Sequence, residues 1–180
     1  MKLNAKELRD IDGKDIVDKL KSIKRRPIYF ILENIYDTYN ISGLFRLADA
    51  LAIEKIYLCG EMEVPPNSRI NKASIGTYKV VNWEYKNTAK EAIDDLKSKF
   101  QNPNDKIKVI AVEQHSTSIA YQQANYSLPL ALIFGNETSG ITGGTLKLCD
   151  QIVEIPMFGV NKSLNVIISA AIVSYWIVNK

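Results

Sequence analysis

Three stretches of the chain are apolar on both faces of a strand, and this pattern restricts the fold more than any other. They read Ile-Tyr-Phe-Ile-Leu at residues 28–32, Lys-Val-Ile-Ala-Val at residues 108–112 and Leu-Ala-Leu-Ile-Phe at residues 130–134. Strands that are buried on both faces belong to parallel sheets with helices on both sides. The sequence therefore predicts an α/β fold with a parallel sheet, in which ligands bind beyond the carboxyl ends of the strands.

Apolar periodicity assigns the remaining elements. Helical spacing predicts two short helices or one broken helix before residue 26, and further helices over residues 41–51, 88–100, 145–149 and 164–178. Short apolar runs predict strands over residues 28–32, 55–59, 80–85, 107–112, 128–134 and 152–155. Residues 64–78 are predicted to form a loop, because they contain Pro65-Pro66, Asn67 and Gly76.

Length and composition indicate one globular domain without covalent or metal staples. The chain has 180 residues, of which 46% are hydrophobic, and it has two cysteines and one histidine. A chain of this size buries enough surface to fold unaided. Cys59 and Cys149 are predicted to be free thiols in a reducing compartment. With His115 as its one imidazole, the chain is not expected to bind a metal ion.

The amino-terminal segment carries the excess positive charge. Residues 1–26 hold nine basic and five acidic side chains, although the whole chain has a net charge of only +3. The segment ends in Lys24, Arg25 and Arg26, and we expect it to be a basic helical extension that attracts a polyanion. A solvated helix face explains the same charges. The segment has no apolar stretch typical of a signal peptide, so a cytoplasmic location is expected.

The last predicted helix, residues 164–178, has almost no polar face. Fifteen residues span about 22 Å, which is too short to cross a bilayer. A helix that is apolar all round is buried on all sides. One face can pack against the sheet, and we expect the other to pack against a second copy of the chain in a homodimer. Burial within one chain is the alternative.

Three loops that follow strands or open helices carry the candidate chemistry. The first spans residues 40–46, where Asn40 lies near a helix start and Arg46 offers a planar fork for a phosphate. The second, residues 135–140, places Glu137 between two glycines and matches neither a P-loop nor a dinucleotide fingerprint. The third runs from residue 155 to 166, with Ser163 and Asn165 at the entry of the apolar helix. Helix capping and a plain turn are the alternatives for these polar residues.

In this order and spacing, the three loops resemble the three motifs of the SpoU/TrmH-type RNA 2′-O-ribose methyltransferases. The matching stretches are Asn-Ile-Ser-Gly-Leu-Phe-Arg at residues 40–46, Gly-Asn-Glu-Thr-Ser-Gly at 135–140, and Ile-Pro-Met-Phe-Gly at 155–159 with Ser-Leu-Asn-Val at 163–166. The resemblance covers about residues 27–178. Ala52 stands where the family often has glycine.

The resemblance implies a fold, a cofactor and partners. Residues 27–180 would form a methyltransferase domain of the SPOUT type, in which the segment from about residue 132 to 180 threads a loop to form a trefoil knot. S-adenosylmethionine would be the cofactor, and tRNA or rRNA the substrate. The family also dimerises through its last helix, in agreement with the apolar helix over residues 164–178.

The resemblance further implies roles for individual residues. Arg46, Glu137 and Asn165 are the catalytic candidates, with Arg46 binding a phosphate and stabilising the forming alkoxide while Glu137 and Asn165 orient it. The cofactor pocket would be lined by Val112, Gly135, Ile155, Met157 and Leu164. The RNA would be contacted by Asn40, Arg46, Ser163, Lys24, Arg25 and Arg26.

Two other functions are compatible with the residues alone. A non-catalytic RNA-binding protein could retain the fold, although intact Arg46, Glu137 and Asn165 argue against this function. A small-molecule enzyme on an open α/β sheet would use Glu137 as an acid or base, and it would bind neither the cofactor nor RNA.

Overall fold

A computed structural model describes residues 2–11, 20 and 22–180. Its strands are β1 (Arg26–Glu33), β2 (Ile53–Cys59), β3 (Trp83–Lys86), β4 (Lys108–Val112), β5 (Ile119–Ala120), β6 (Leu130–Gly135) and β7 (Gln151–Glu154). They form one sheet in the order β3-β2-β1-β6-β4-β7-β5. Every strand pair is parallel, which confirms the predicted sheet.

The described helices are α1 (Ala5–Asp10), α2 (Thr38–Ala50), α3 (Ser68–Ala73), α4 (Ala89–Lys99), α5 (Gly143–Leu146) and α6 (Val166–Val178). Three short 3-10 turns lie at Thr77–Lys79, Pro103–Asp105 and Tyr121–Gln123. No helix in the described ranges is long and apolar enough to cross a membrane.

The alternation of side chains along β1 shows how the sheet is covered on both faces. Phe30 and Leu32 belong to a buried cluster that includes side chains of α2 and α6. Tyr29 and Ile31 point the other way, into a second cluster that includes side chains of α4. Since successive side chains of a strand point to opposite faces, an all-apolar strand requires these two helical layers.

The strand register brings the carboxyl ends of the central strands to one edge. Glu33 of β1 pairs with Gly135 of β6, and Val112 of β4 pairs with Val153 of β7. The residues that follow these strands therefore open onto the same edge of the sheet. This edge holds the site described below.

Local contacts position the helices α2, α6 and α1. Gly43 of α2 lies against Ile167 of α6 so closely that an added Cβ would lie 2.3 Å from the Ile167 Cδ1. Helix α1 is held by a capping box between Asn4 and Glu7, and Leu8 packs against Val80. The rest of the predicted amino-terminal helices, residues 12–19 and 21, lies outside the described residues.

Some boundaries differ from the sequence predictions. Residues 64–78 are not only a loop, because Asn67 caps the short helix α3 through its side-chain oxygen. The two-residue strand β5 was not predicted, since a pair of residues gives no periodic signal. Helix α6 begins at Val166 and its N-cap is Asn165. Ser163, for which helix capping was one alternative, lies two residues before this N-cap.

Candidate active site

The loop after β6 is closed by its own hydrogen bonds. The side-chain oxygen of Asn136 accepts from the backbone N–H groups of Thr138 at 2.7 Å and Ser139 at 3.1 Å. The N–H of Gly140 donates to the carbonyl of Asn136 at 2.8 Å. A Cβ on Gly135 would lie 2.5 Å from the Gly140 carbonyl carbon, so only glycine allows this closure. The closed loop presents the side chain of Glu137 to solvent.

A carboxylate directly after β4 holds the far end of this loop. Glu113 accepts hydrogen bonds from the N–H of Ile141 and the N–H of Gln114, each at 2.9 Å. Gly140 has a left-handed backbone with φ +66°, and a Cβ there would lie 2.4 Å from Glu113 Oε2. Both the backbone and the space therefore require glycine at this position.

A chain of three polar side chains joins the three loops. Asn40, in the first turn of α2, donates its amide N–H to Glu137 Oε1 and accepts from Asn165 Nδ2 at 2.9 Å. Asn165 in turn accepts from the N–H of Ile167 at 2.9 Å. Asn40 is buried, whereas Glu137 and Asn165 are exposed. The first motif is thus connected to the second and third through one buried amide.

A cavity of about 350 Å³ opens beside this network. Its lining contains all five residues predicted for the cofactor pocket: Val112, Gly135, Ile155, Met157 and Leu164. Glu137 and Ser163 also line it. The cavity therefore brings the second and third loops together, and the network places Asn40 at its rim.

The residues present fit S-adenosylmethionine. The volume is within the range of small-molecule sites, which combine apolar walls with a few polar groups. Phe134, Ile141 and Val166 supply apolar surface, and the loop at residues 135–140 supplies backbone polar groups. When bound, the cofactor supplies an electrophilic methyl group.

The predicted RNA-contacting residues lie in several places. Arg46 is exposed on α2, and no hydrogen bond joins it to Glu137 or Asn165 among the described residues; both of these contact Asn40 instead. The guanidinium of Arg25 donates to the carbonyls of Ile53 at 3.0 Å and Val80 at 2.6 Å.

Arg26 donates to the carbonyl of Leu51 at 2.9 Å. Arg25 and Arg26 therefore help to hold the sheet, while Lys24 is exposed.

Sequence reasoning missed two carboxylates that line the cavity, Glu113 and Glu154. Glu113 directly follows β4 and Glu154 ends β7. The rule that ligands bind at the carboxyl ends of strands would have identified both.

The two thiols are not candidate nucleophiles. Burial raises the pKa of Cys59 to about 12, and burial together with the nearby Asp150 raises the pKa of Cys149 to about 12. Both side chains therefore stay protonated at neutral pH. In the described part of the chain, no three His, Cys, Asp or Glu side chains are grouped so that they could hold a metal ion.

Comparison with known proteins identifies similar sequences. The tRNA (guanosine(18)-2′-O)-methyltransferase of Borreliella burgdorferi is 27% identical over 160 residues, covering 88% of this chain and 69% of that protein. The 23S rRNA (guanosine-2′-O-)-methyltransferase RlmB of Haemophilus influenzae is 28% identical over 98% of this chain and 68% of its own length. The chain spans 63% of the Escherichia coli tRNA (guanosine(18)-2′-O)-methyltransferase.

Solved structures share the fold. The SpoU methyltransferase AviRb from Streptomyces viridochromogenes, in complex with AdoMet, superposes with a TM-score of 0.78 at 22% identity, covering 91% of this chain and 63% of that chain. The A. aeolicus TrmH/SpoU tRNA modifying enzyme superposes with a TM-score of 0.74 at 20% identity, covering 96% and 79%. The model of the SpoU rRNA Methylase family matches residues 27–175. With five-sixths of its length matched, two motif loops lining one cavity and the third joined to them through Asn40, the chain belongs to the SpoU rRNA Methylase family.

Proposed function

We propose that the protein is an S-adenosylmethionine-dependent methyltransferase that modifies a ribose 2′-hydroxyl of tRNA or rRNA. The observation that carries the proposal is the Glu137–Asn40–Asn165 network, at the rim of a cavity lined by the five predicted cofactor residues. Family membership supports the reaction. The relatives named above act on guanosine in tRNA and in 23S rRNA, which supports the substrate class.

The chain's own residues would position the two reactants and stabilise charge. The cofactor supplies the methyl electrophile, so alignment of the ribose hydroxyl is the main task of the protein, and alignment can remove about 7–11 kcal/mol of barrier. A guanidinium is a poor base, so Arg46 would bind the phosphate beside the target and stabilise the forming alkoxide. The network through Asn40 would hold the first turn of α2 against the loops, and Ser163 would help to place the RNA.

The same proposal includes a homodimer through α6. Ile168, Tyr175 and Trp176 on this helix are between 37% and 49% exposed, and the buried Ser174 hydroxyl has no hydrogen-bond partner in the chain as described. Several exposed large apolar side chains on one helix support an interface there. A two-fold partner would cover these side chains.

The proposal also includes the carboxyl-terminal knot. Strand β7 lies between β4 and β5, which are joined by residues 113–118. After β7 the chain continues into α6, which packs against α2 at the contact between Ile167 and Gly43. Strand β7 is thus inserted between two strands that the chain has already joined. This order supports a knot in which the segment from about residue 132 onward is threaded through a loop.

Substrate RNA would be recognised by the exposed surface around the cavity. Lys24 offers a phosphate contact from the amino-terminal segment, and Arg46 offers one beside the site. Arg25 and Arg26 use guanidinium donors on backbone carbonyls. We therefore expect Lys24→Glu to lower the salt dependence of RNA binding more cleanly than a change at either arginine.

The test is methyl transfer from labelled S-adenosylmethionine to bulk tRNA and, separately, to rRNA from cells that lack this protein. We expect label in one pool, resistant to alkaline cleavage at the modified linkage because a methylated 2′-oxygen cannot attack the phosphate. Arg46→Ala and Glu137→Ala should abolish the label, and Glu63→Ala, in an exposed loop, should not. Cofactor and RNA binding without transfer would instead indicate a non-catalytic RNA-binding protein.

A further inference from the structure

The charged side chains that line the cavity all carry the same sign. Glu113, Glu137 and Glu154 contribute carboxylates, and no lysine, arginine or histidine appears among the described residues of its lining. This is unusual in a chain whose net charge is +3. The cavity is therefore a local negative region in a basic protein.

Glu113 and Glu154 are fixed by hydrogen bonds rather than free to turn away. Glu113 accepts from two backbone N–H groups at 2.9 Å, as described above. Glu154 Oε2 lies 2.8 Å from the hydroxyl of Ser118, whose single proton it shares with the carbonyl of His115 at 2.7 Å. A carboxylate oxygen has more than one lone pair, so both groups keep acceptor capacity for the cavity.

Apolar walls strengthen the effect of these charges. Phe134, Leu146 and Leu164 line the same cavity. Charges of one sign in a cleft with low-dielectric walls focus the electric field inside it. A cationic ligand is favoured there over a neutral ligand of the same shape.

We propose that the cavity selects the methyl donor over its demethylated product by charge, with Glu154 and Glu113 as the specificity-determining residues. The inference rests on the proposed function. In the transfer, the S–CH₃ bond breaks with its electron pair staying on sulfur, an O–CH₃ bond forms, and the hydroxyl proton leaves to water. The ligand in the cavity thereby loses its sulfonium charge, and the carboxylates no longer attract it at that point. Product release and reloading are favoured as a result.

The sharpest variant is Glu154→Gln. The glutamine oxygen can still accept from Ser118, so the change removes charge while keeping the contact. Glu113→Gln removes charge too, but it leaves one of two backbone N–H groups without an acceptor. Glu63→Gln is the matched control, because Glu63 is exposed, accepts from Asn67 at 3.0 Å and does not line the cavity.

The experiment measures dissociation constants by calorimetry for three ligands: S-adenosylmethionine, S-adenosylhomocysteine and sinefungin, which carries an amine in place of the methylsulfonium. S-adenosylmethionine and sinefungin are cationic at the reacting centre, whereas S-adenosylhomocysteine is neutral there. We expect Glu154→Gln to weaken both cationic ligands about five- to tenfold, as for the loss of one carboxylate charge from a partly screened site, and the neutral ligand less than about twofold. Glu63→Gln should change none of them.

Three outcomes contradict the inference in different ways. Equal weakening of all three ligands would show that Glu154 contacts a part they share, and charge selection would be wrong. Unchanged affinities would show that the carboxylate does not act on the ligand. If the unaltered protein bound none of the three ligands, the proposed function itself would be wrong, and the inference with it.

Discussion

Asn40 holds the site together through its amide, and replacing that amide by an isosteric carboxylate tests this role. Asn40 is 6% exposed and donates to Glu137 while it accepts from Asn165. Asn40→Asp keeps the shape of the side chain, so it creates no cavity. Above neutral pH it places a second carboxylate against Glu137 and removes the donor between them.

The size of the repulsion between the two carboxylates depends on how far each is exposed to solvent. Two unit charges about 4 Å apart repel by about 4 kcal/mol near a protein surface and by about 1 kcal/mol in water. Because Glu137 is exposed and the introduced group is buried, we expect a repulsion of about 2 kcal/mol, which raises the pKa of the introduced carboxyl above its ordinary value. A protonated carboxyl can donate to Glu137, so the loss of stability should be absent near pH 4 and complete above about pH 6.5.

Chemical denaturation at several pH values measures this effect as the difference in unfolding free energy between variant and unaltered protein. The double change Asn40→Asp with Glu137→Gln should restore most of the loss at pH 8, because the glutamine amide then donates to the introduced carboxylate. A deficit that is equal at pH 4 and pH 8, or one that the double change does not reduce, would refute the role given to Asn40.

Three further predictions concern the backbone and the thiols. Gly140→Ala should lower the free energy of unfolding by about 1–2 kcal/mol, because φ is +66° and Glu113 occupies the Cβ space; Gly143→Ala, with open space around it, is the control in thermal denaturation. Ala52→Gly should stabilise the protein by about 0.5 kcal/mol, since Ala52 has φ 51° and relief of that strain exceeds the entropy cost of glycine; a loss in urea denaturation would contradict this. With its pKa raised to about 12 and its side chain fully buried, Cys59 should react with a thiol reagent at pH 8 only after denaturation, and rapid labelling of this residue in the native protein would contradict its burial. Cys149 is half-buried and its pKa is also raised, so it should react more slowly in the native protein than after denaturation.

Much of the architecture is predictable from local patterns. The all-apolar strands at β1, β4 and β6 specify a parallel sheet with two helical layers, because no other arrangement covers both faces. Thr88 caps α4 as its sequence position indicates. Strand β5 and helix α3 escape prediction because each is too short for a periodic signal, and their formation depends on β7 and on α2 packing beside them.

The positions of the candidate residues on loops at one sheet edge were predictable, but their connections were not. Glu137 and Asn165 were expected to orient Arg46, whereas their hydrogen bonds go to Asn40. Sequence spacing places these residues on loops at one edge of the sheet, but it does not determine which side chains meet across 97 and 125 positions. The cavity residues Glu113 and Glu154 lie outside the motifs, so only the assembled sheet brings them to the site.

A crystal of the protein soaked with S-adenosylmethionine tests most directly whether the cavity between the second and third loops binds the methyl donor. We expect electron density for the ligand between Gly135, Met157 and Leu164, with its methyl group directed towards the network at Asn40. A second cleft of about 890 Å³, lined by Tyr36 and Tyr85, lies at the carboxyl ends of β1, β2 and β3. Ligand density in that cleft, with the first cavity empty at saturating ligand, would contradict the account.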